Sequence, residues 1–231
     1  MKFSQVLDIT QPLFDRCPGN PAFPPMEVSH EMHAEDVGWN TERLNFFTHV
    51  GTHIDSPWHR DNGGRTIDTM PPDTFIGPAT AVDLYGKKPD EAICVSDLEP
   101  YGSRLNPIVL LCTGWGEKRS NTDEYLYHSP WLSAEGARWL VEHGVRGVGI
   151  DHFSVGGANP EHVEAPHDVL LDAGIWILED LILPRRLLDF GNLHVIALPL
   201  LLKGGSGAPA RALAVSTLNG SRSAFAEGGG R

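Results

Sequence analysis

Cysteine is scarce in this chain of 231 residues. Cys17, Cys94 and Cys112 are odd in number and widely spaced, which argues against a disulfide framework. Cys94 and Cys112 read instead as small apolar residues of the interior. Long apolar runs are missing too: no segment approaches the ~20 residues of a membrane span. The N-terminal stretch Met1 to Asp8 holds no apolar run of signal-peptide length, so the expected compartment is cytoplasmic. Positive charge is also in short supply. With 18 Lys and Arg against 30 Asp and Glu the formal net charge is −12, which argues against nucleic acid or an anionic membrane as partner, since both need a basic patch. A small-molecule substrate is the partner that remains, and an anionic one would depend on a local cation. Neither a repeat nor a linker divides the chain. The expectation is one domain over residues 1–220 and a flexible C-terminal tail over 221–231, where Gly228, Gly229 and Gly230 fall.

The apolar fraction of 41% is ordinary for a globular domain with a single substantial core. Strand patterns dominate, over residues 3–10, 26–33, 41–50, 79–85, 107–113, 146–151, 175–179, 194–201 and 211–216. The clearest helix opens on Ser133 as N-cap, runs through His143 and stops at Gly144, leading straight into the strand that ends at Asp151. Shorter helices are expected at 167–173 and 184–189. The fold class is therefore α/β, a strand-rich mixed sheet or barrel-like core with a few flanking helices. Trp39, Phe46, Phe47, Trp58 and Trp176 are expected mostly in the core, with Trp58 also placed to touch an aromatic substrate.

Ligand chemistry concentrates at residues 49–59, where His49, His53, Asp55 and His59 fall within eleven positions. Nitrogen and carboxylate donors without cysteine suit zinc, manganese or iron in an open site rather than a closed thiolate one. A zincin helix does not fit, because Val50 stands where that motif needs its glutamate. His49, Gly51, His53 and Asp55 share one parity, and the β-branched Val50, Thr52 and Ile54 share the other, as in a strand with one apolar face. Residues four apart on a straight strand lie roughly 13 Å from each other, so His49 and His53 can meet on one ion only if the strand bends, and Gly51 is the place for it. His59 lies beyond Pro57, open to the roles of ligand or proton shuttle. A chance cluster of histidines would bury several polar rings without a shared partner, at considerable cost.

His49-x-Gly51-Thr52-His53-x-Asp55-x-Pro57-x-His59 resembles the signature of the cyclase family of metal-dependent hydrolases, which includes bacterial kynurenine formamidases and isatin hydrolase. The resemblance extends to Asp8–Leu13 with Pro18-Gly19-Asn20-Pro21, to Gly149–Ser154, to His167 with Glu179, and to Gly207–Arg211. It implies a swivelling β/β/α fold, and one or two Zn or Mn ions per chain. His49, His53 and Asp55 would hold one ion, with Asp55 bridging to a second held by His167 and Glu179. His59 would be the general acid/base in the hydrolysis of an amide, aryl formamide or lactam by metal-activated water. A homodimer or homotetramer is implied as well. Read without the resemblance, Ile175–Leu178 is a buried strand that delivers Glu179 at its end, after a helix stopped by Gly174. Two positions depart from the family pattern: Cys17 replaces an aromatic residue that covers the substrate ring in formamidases, and Ser206 replaces a common aspartate. A lactone or ester hydrolase, a Lewis-acid cyclase or dehydratase, and a metal-binding protein without catalysis remain as alternatives.

Overall fold

The computed structural model describes residues 3–217, and the expected tail lies outside them. The strands are β1 Phe3–Asp8, β2 Glu27–Met32, β3 Thr41–Asn45, β4 His53–Asp55, β5 Ile76–Asp83, β6 Ala92–Ile93, β7 Ile108–Cys112, β8 Trp131–Leu132, β9 Gly147–Ile150, β10 Trp176–Glu179, β11 Leu193–Pro199 and β12 Gly207–Thr217. The main sheet runs β12-β11-β5-β7-β9-β10-β4, and the short β4 pairs back onto β12, with β1 added beside it. Seven strands thus close into a mixed barrel, as expected. Parallel pairs β5–β7, β7–β9 and β9–β10 form one wall, and antiparallel pairs form the other.

Alternation decides what each strand face meets. Ile108, Leu110 and Cys112 of β7, Trp176 and Leu178 of β10, and Ile54 of β4 pack inside the barrel with alanines of β12. Val109 and Leu111, Val148 and Ile150, and Ile177 face outward, against Ala137 and Leu140 of the helix Ala134–Glu142 and Leu170 and Leu171 of the helix Glu164–Asp172. Ser133 caps the first of these helices, accepting from the Gly136 N–H. Gly174, with φ of 77°, ends the second one turn before β10.

Several local expectations need correction. β3 stops at Asn45, so His49 sits in a turn and not on a strand. The helix expected at 167–173 begins earlier, at Glu164, and takes His167 into its body, while 185–189 is a 3-10 turn. Trp176 is core, but Trp39, Phe47 and Trp58 are 65%, 49% and 39% exposed, too much for core residues. Two of these lie near the β2–β3 ribbon, a separate two-stranded sheet that buries little of either face. Cys112 is buried as expected, whereas Cys94 is exposed at the start of the short helix Val95–Leu98. That helix and Asp123–Tyr127 carry too few residues for a periodic signal.

Candidate active site

β4 is three residues long and pairs on both sides, so the side chains of His53 and Asp55 cannot choose their face. Ile54 points into the barrel, which turns His53 and Asp55 outward toward the helix Glu164–Asp172. Register places His53 opposite Glu179 and Asp55 opposite Ile177. Glu179, of one parity with Ile177, leaves the barrel on the same side, and His167 reaches it from the helix. Gly51 adopts φ of 58° and turns the chain back just before β4, bringing the His49 ring to 5.2 Å from that of His53. The bend expected at Gly51 is therefore present as a left-handed turn. A Cβ there would lie 2.3 Å from the Leu13 side chain, in addition to the backbone strain. Gly51→Ala should cost on the order of 2 kcal/mol or more, which a denaturant midpoint would report.

The donors converge tightly. His53 Nε2 lies 3.3 Å from Asp55 Oδ1 and 3.3 Å from Glu179 Oε2. His167 Nε2 lies 3.2 Å from Glu179 Oε1 and 3.8 Å from Asp55 Oδ2. His49 Nδ1 is 2.6 Å from Asp55 Oδ1. The outer nitrogens are held by the backbone: His53 Nδ1 is 2.8 Å from the Gly51 carbonyl and His167 Nδ1 is 2.8 Å from the Val163 carbonyl. Glu179 Oε1 also accepts the Val155 N–H at 2.6 Å. Asp55 Oδ2 is buried and has no hydrogen-bond partner. Among the described residues, two sets of donors lie close enough to share an ion, His53 with Asp55 and Glu179, and His49 with Asp55 and His59.

Burial opposes charge on His53, but Asp55 and Glu179 overcome it and raise the imidazole well above its ordinary 6.5. His167 behaves alike: against burial, Glu179 and Asp55 bring it up to about 9. Burial would raise Asp55, yet His49 and His53 hold it well below the usual carboxylate range. Glu179 is lowered by His167 and His53 against its burial and the nearby Asp55. His59 departs in the other direction. Burial pushes it down to about 4, so its ring is neutral at pH 7 and able to accept a proton.

His59 ends the 3-10 turn Pro57–His59 that follows β4, its ring 4.0 Å from that of His49. Arg60 ties this turn to the helix bearing His167, bonding Asp168 at 2.7 Å and Glu164 at 3.0 Å. Glu164 is thus a tether although it remains exposed. The donors floor a cavity of about 270 Å³ bordered also by Asn20, Phe23 and Phe153. A second cavity of about 370 Å³ shares Asn20, Phe23 and His49 with it and is lined by apolar groups including Cys17, Met26 and Phe47. Trp58 lines neither of the two, and the 61–68 loop packs behind the turn, Trp58 N–H donating to Arg65. Phe23 carries no sequence signal toward the site, because only the tertiary fold brings it there, whereas Phe153 falls in the Gly149–Ser154 segment and Arg60 directly follows His59.

A closed mixed barrel with an imidazole–carboxylate cluster on its outer face, under a helix and at the floor of a cavity, defines the class. The family model described as "Putative cyclase" matches residues 7–156, and the chain belongs to this cyclase family. It is 33% identical to a kynurenine formamidase of Bacillus cereus over 214 residues, 92% of this chain and 98% of that protein. Among solved structures, isatin hydrolase A from Labrenzia aggregata, bound to benzyl benzoate, superposes with a TM-score of 0.80 at 25% identity, covering 93% of this chain and 94% of that one. A potential metal-dependent hydrolase with cyclase activity gives a TM-score of 0.74 at 28% identity, covering 93% and 98%.

Proposed function

We propose that this chain is a metal-dependent hydrolase that cleaves a carbon–nitrogen bond, other than a peptide bond, in a small amide, aryl formamide or lactam. The observation that carries the reading is the orientation of two imidazoles. His53 and His167 each give their Nδ1–H to a backbone carbonyl, so each turns Nε2 toward the paired carboxylates of Asp55 and Glu179. Nε2 nitrogens set 3.2–3.3 Å from carboxylate oxygens call for positive charge between them, which raises both imidazoles above their ordinary value and which a divalent cation would supply in place of the protons. Nitrogen and oxygen donors around the orphaned Asp55 Oδ2 fit a divalent cation such as Zn²⁺ or Mn²⁺. The names of the relatives, a formamidase and a hydrolase of isatin, support the choice of bond.

The distances favour one ion held by His53, Asp55, His167 and Glu179, and a second position at His49 and Asp55 that His59 borders, with Asp55 common to both. The grouping implied by the sequence resemblance put His53 with His49. Cross-strand register adds Glu179 opposite His53, and the His49 ring, 5.2 Å from that of His53, stays beside the same donors. A bound cation of this kind polarises a carbonyl and lowers the pKa of water toward ~7. His59, kept neutral by burial, takes the proton of the attacking water and passes it to the leaving nitrogen, which would otherwise depart as a poorly stabilised anion. The apolar chamber beside His49, with Cys17 in its wall, receives the body of the substrate. The implied homodimer or homotetramer belongs to this reading and is measured by sedimentation.

Chelator-stripped protein assayed on N-formylkynurenine, simpler aryl formamides, isatin, cyclic imides and lactones, with and without added Zn²⁺ or Mn²⁺, tests the proposal. Metal-dependent turnover of a C–N substrate is the expected result. Preference for lactones would shift the reading to an ester hydrolase, and turnover of none would leave a metal-binding protein. Glu179→Gln should lower the metal-to-protein ratio by about one, because it removes a donor from one set only. An unchanged ratio with unchanged activity would make Glu179 a structural carboxylate.

A further inference from the structure

The cavity that holds the donors continues into the apolar chamber, the two sharing Asn20, Phe23 and His49. One wall of the chamber is aromatic, with the Phe23 and Phe47 rings stacked and their centroids 4.9 Å apart. Cys17, Met26 and Val50 pack together as its buried apolar side. Apart from His49, the one ionisable side chain of the lining that carries charge at neutral pH is Arg16. No Asp or Glu borders this space, although the chain carries 30 of them and a net charge of −12. Asp15, the neighbour of Arg16, turns to a different cavity and accepts the Val28 N–H at 2.9 Å.

Arg16 stands on a fastened segment. Its φ of 56° lies in the left-handed region, which glycine or asparagine adopts more readily than a long side chain. The Arg16 N–H donates to the Met26 carbonyl at 2.8 Å, and the Arg16 carbonyl accepts from the Asn121 side-chain amide at 3.2 Å. Arg119 binds the flanks, donating to the carbonyls of Pro12 and Pro18 at 3.0 Å each while it is itself held by the buried Asp180 at 2.8 Å. The Arg16 guanidinium, by contrast, is uncommitted. Among the described residues it has no hydrogen-bond or ion-pair partner, whereas Arg43, Arg60, Arg138 and Arg211 each bond a carboxylate.

We infer that Arg16 is the recognition residue for a carboxylate on the substrate, and that the preferred substrate is an aryl amide or formamide bearing that carboxylate with no ammonium beside it. The inference rests on the hydrolase reading proposed above. With the scissile group at the imidazole and carboxylate donors, the ring lies against Phe23 and Phe47 and the carboxylate meets Arg16. A guanidinium binds a carboxylate through two parallel N–H bonds. An ammonium finds no acid in the chamber lining, so an amino-acid side chain is the poorer fit. Because Arg16 is exposed, solvent limits the gain to ~5–10-fold.

The test compares kcat/KM for meta- and para-formamidobenzoate with that for the matching uncharged formamidobenzamides, in metal-loaded wild-type protein and in the Arg16→Asn, Arg16→Lys and Arg16→Glu variants. Wild type should favour the acids ~5–10-fold, mainly through KM. Arg16→Asn, which suits the left-handed backbone, should abolish the preference, Arg16→Lys should keep part of it, and Arg16→Glu should favour the benzamides. N-formylkynurenine should be a poorer substrate than its analogue with hydrogen in place of the amino group. Equal use of acids and benzamides by wild type, a preference for acids that survives in the Asn and Glu variants, or N-formylkynurenine matching its analogue would overturn the inference. Turnover of no formamide would overturn the proposed function, and calorimetric binding of the aminobenzoates against the aminobenzamides then decides for Arg16. Preference for the acids that Arg16→Asn removes would uphold the carboxylate site, and its absence from wild type would overturn that as well.

Discussion

Asp55→Asn is expected to leave a folded protein with almost no bound metal and no measurable hydrolysis. Asp55 is the one side chain that belongs to both donor sets, with Oδ1 toward His49 and His53 and Oδ2 toward His167. An amide in its place keeps the shape but removes the charge and turns an N–H donor toward nitrogens that need a cation. The effect should exceed the ~10–100-fold loss in affinity that follows removal of an outer-shell partner. Elemental analysis after gel filtration reads the metal content, and near-UV circular dichroism checks that the barrel persists. The latter is expected because β4 is held on both edges by backbone pairing with β10 and β12, which the side chain does not supply. Full metal content in this variant would remove the basis of the proposed function.

How much of this site the sequence discloses depends on the range of the interactions involved. The alternation of His53 and Asp55 against Ile54 is a local property, and it correctly puts the two donors on one face and the isoleucine in the barrel. Glu179 is legible for the same reason, because a short buried run before it predicts a strand end. The bend at Gly51 follows from the distance that a straight strand would impose. The pairing of His53 with Glu179 is not legible, since it depends on register between strands 126 residues apart in number (179 − 53). The carbonyls of Gly51 and Val163, which set the tautomers of His53 and His167, have no side-chain signature at all. Aromatic residues mislead for a related reason. Trp39 and Phe47 read as core by type, yet they lie near a ribbon that the barrel does not cover.

His59→Ala separates the two roles that the geometry allows for His59. As a proton carrier, His59 acts on the leaving nitrogen, and its loss should lower kcat for an amide by ~10²–10⁴. The ion held by His53, Asp55, His167 and Glu179 should remain, because His59 is not among these donors. An activated ester, whose leaving group departs without a proton, should lose much less, so the ratio of amide to ester turnover is the decisive quantity. The burial that holds the ring near pKa 4 makes it a neutral acceptor across the neutral range, ready to take a proton from water before giving it up. As a ligand of the second position, by contrast, His59 would act through the cation, and its removal would lower metal content by one ion and damage amide and ester turnover alike. Measuring kcat on both substrates together with metal content in the same preparation therefore assigns the residue. Equal loss on amide and ester with one ion missing would make His59 a ligand, while selective loss on the amide with metal content unchanged would place the proton transfer on its imidazole.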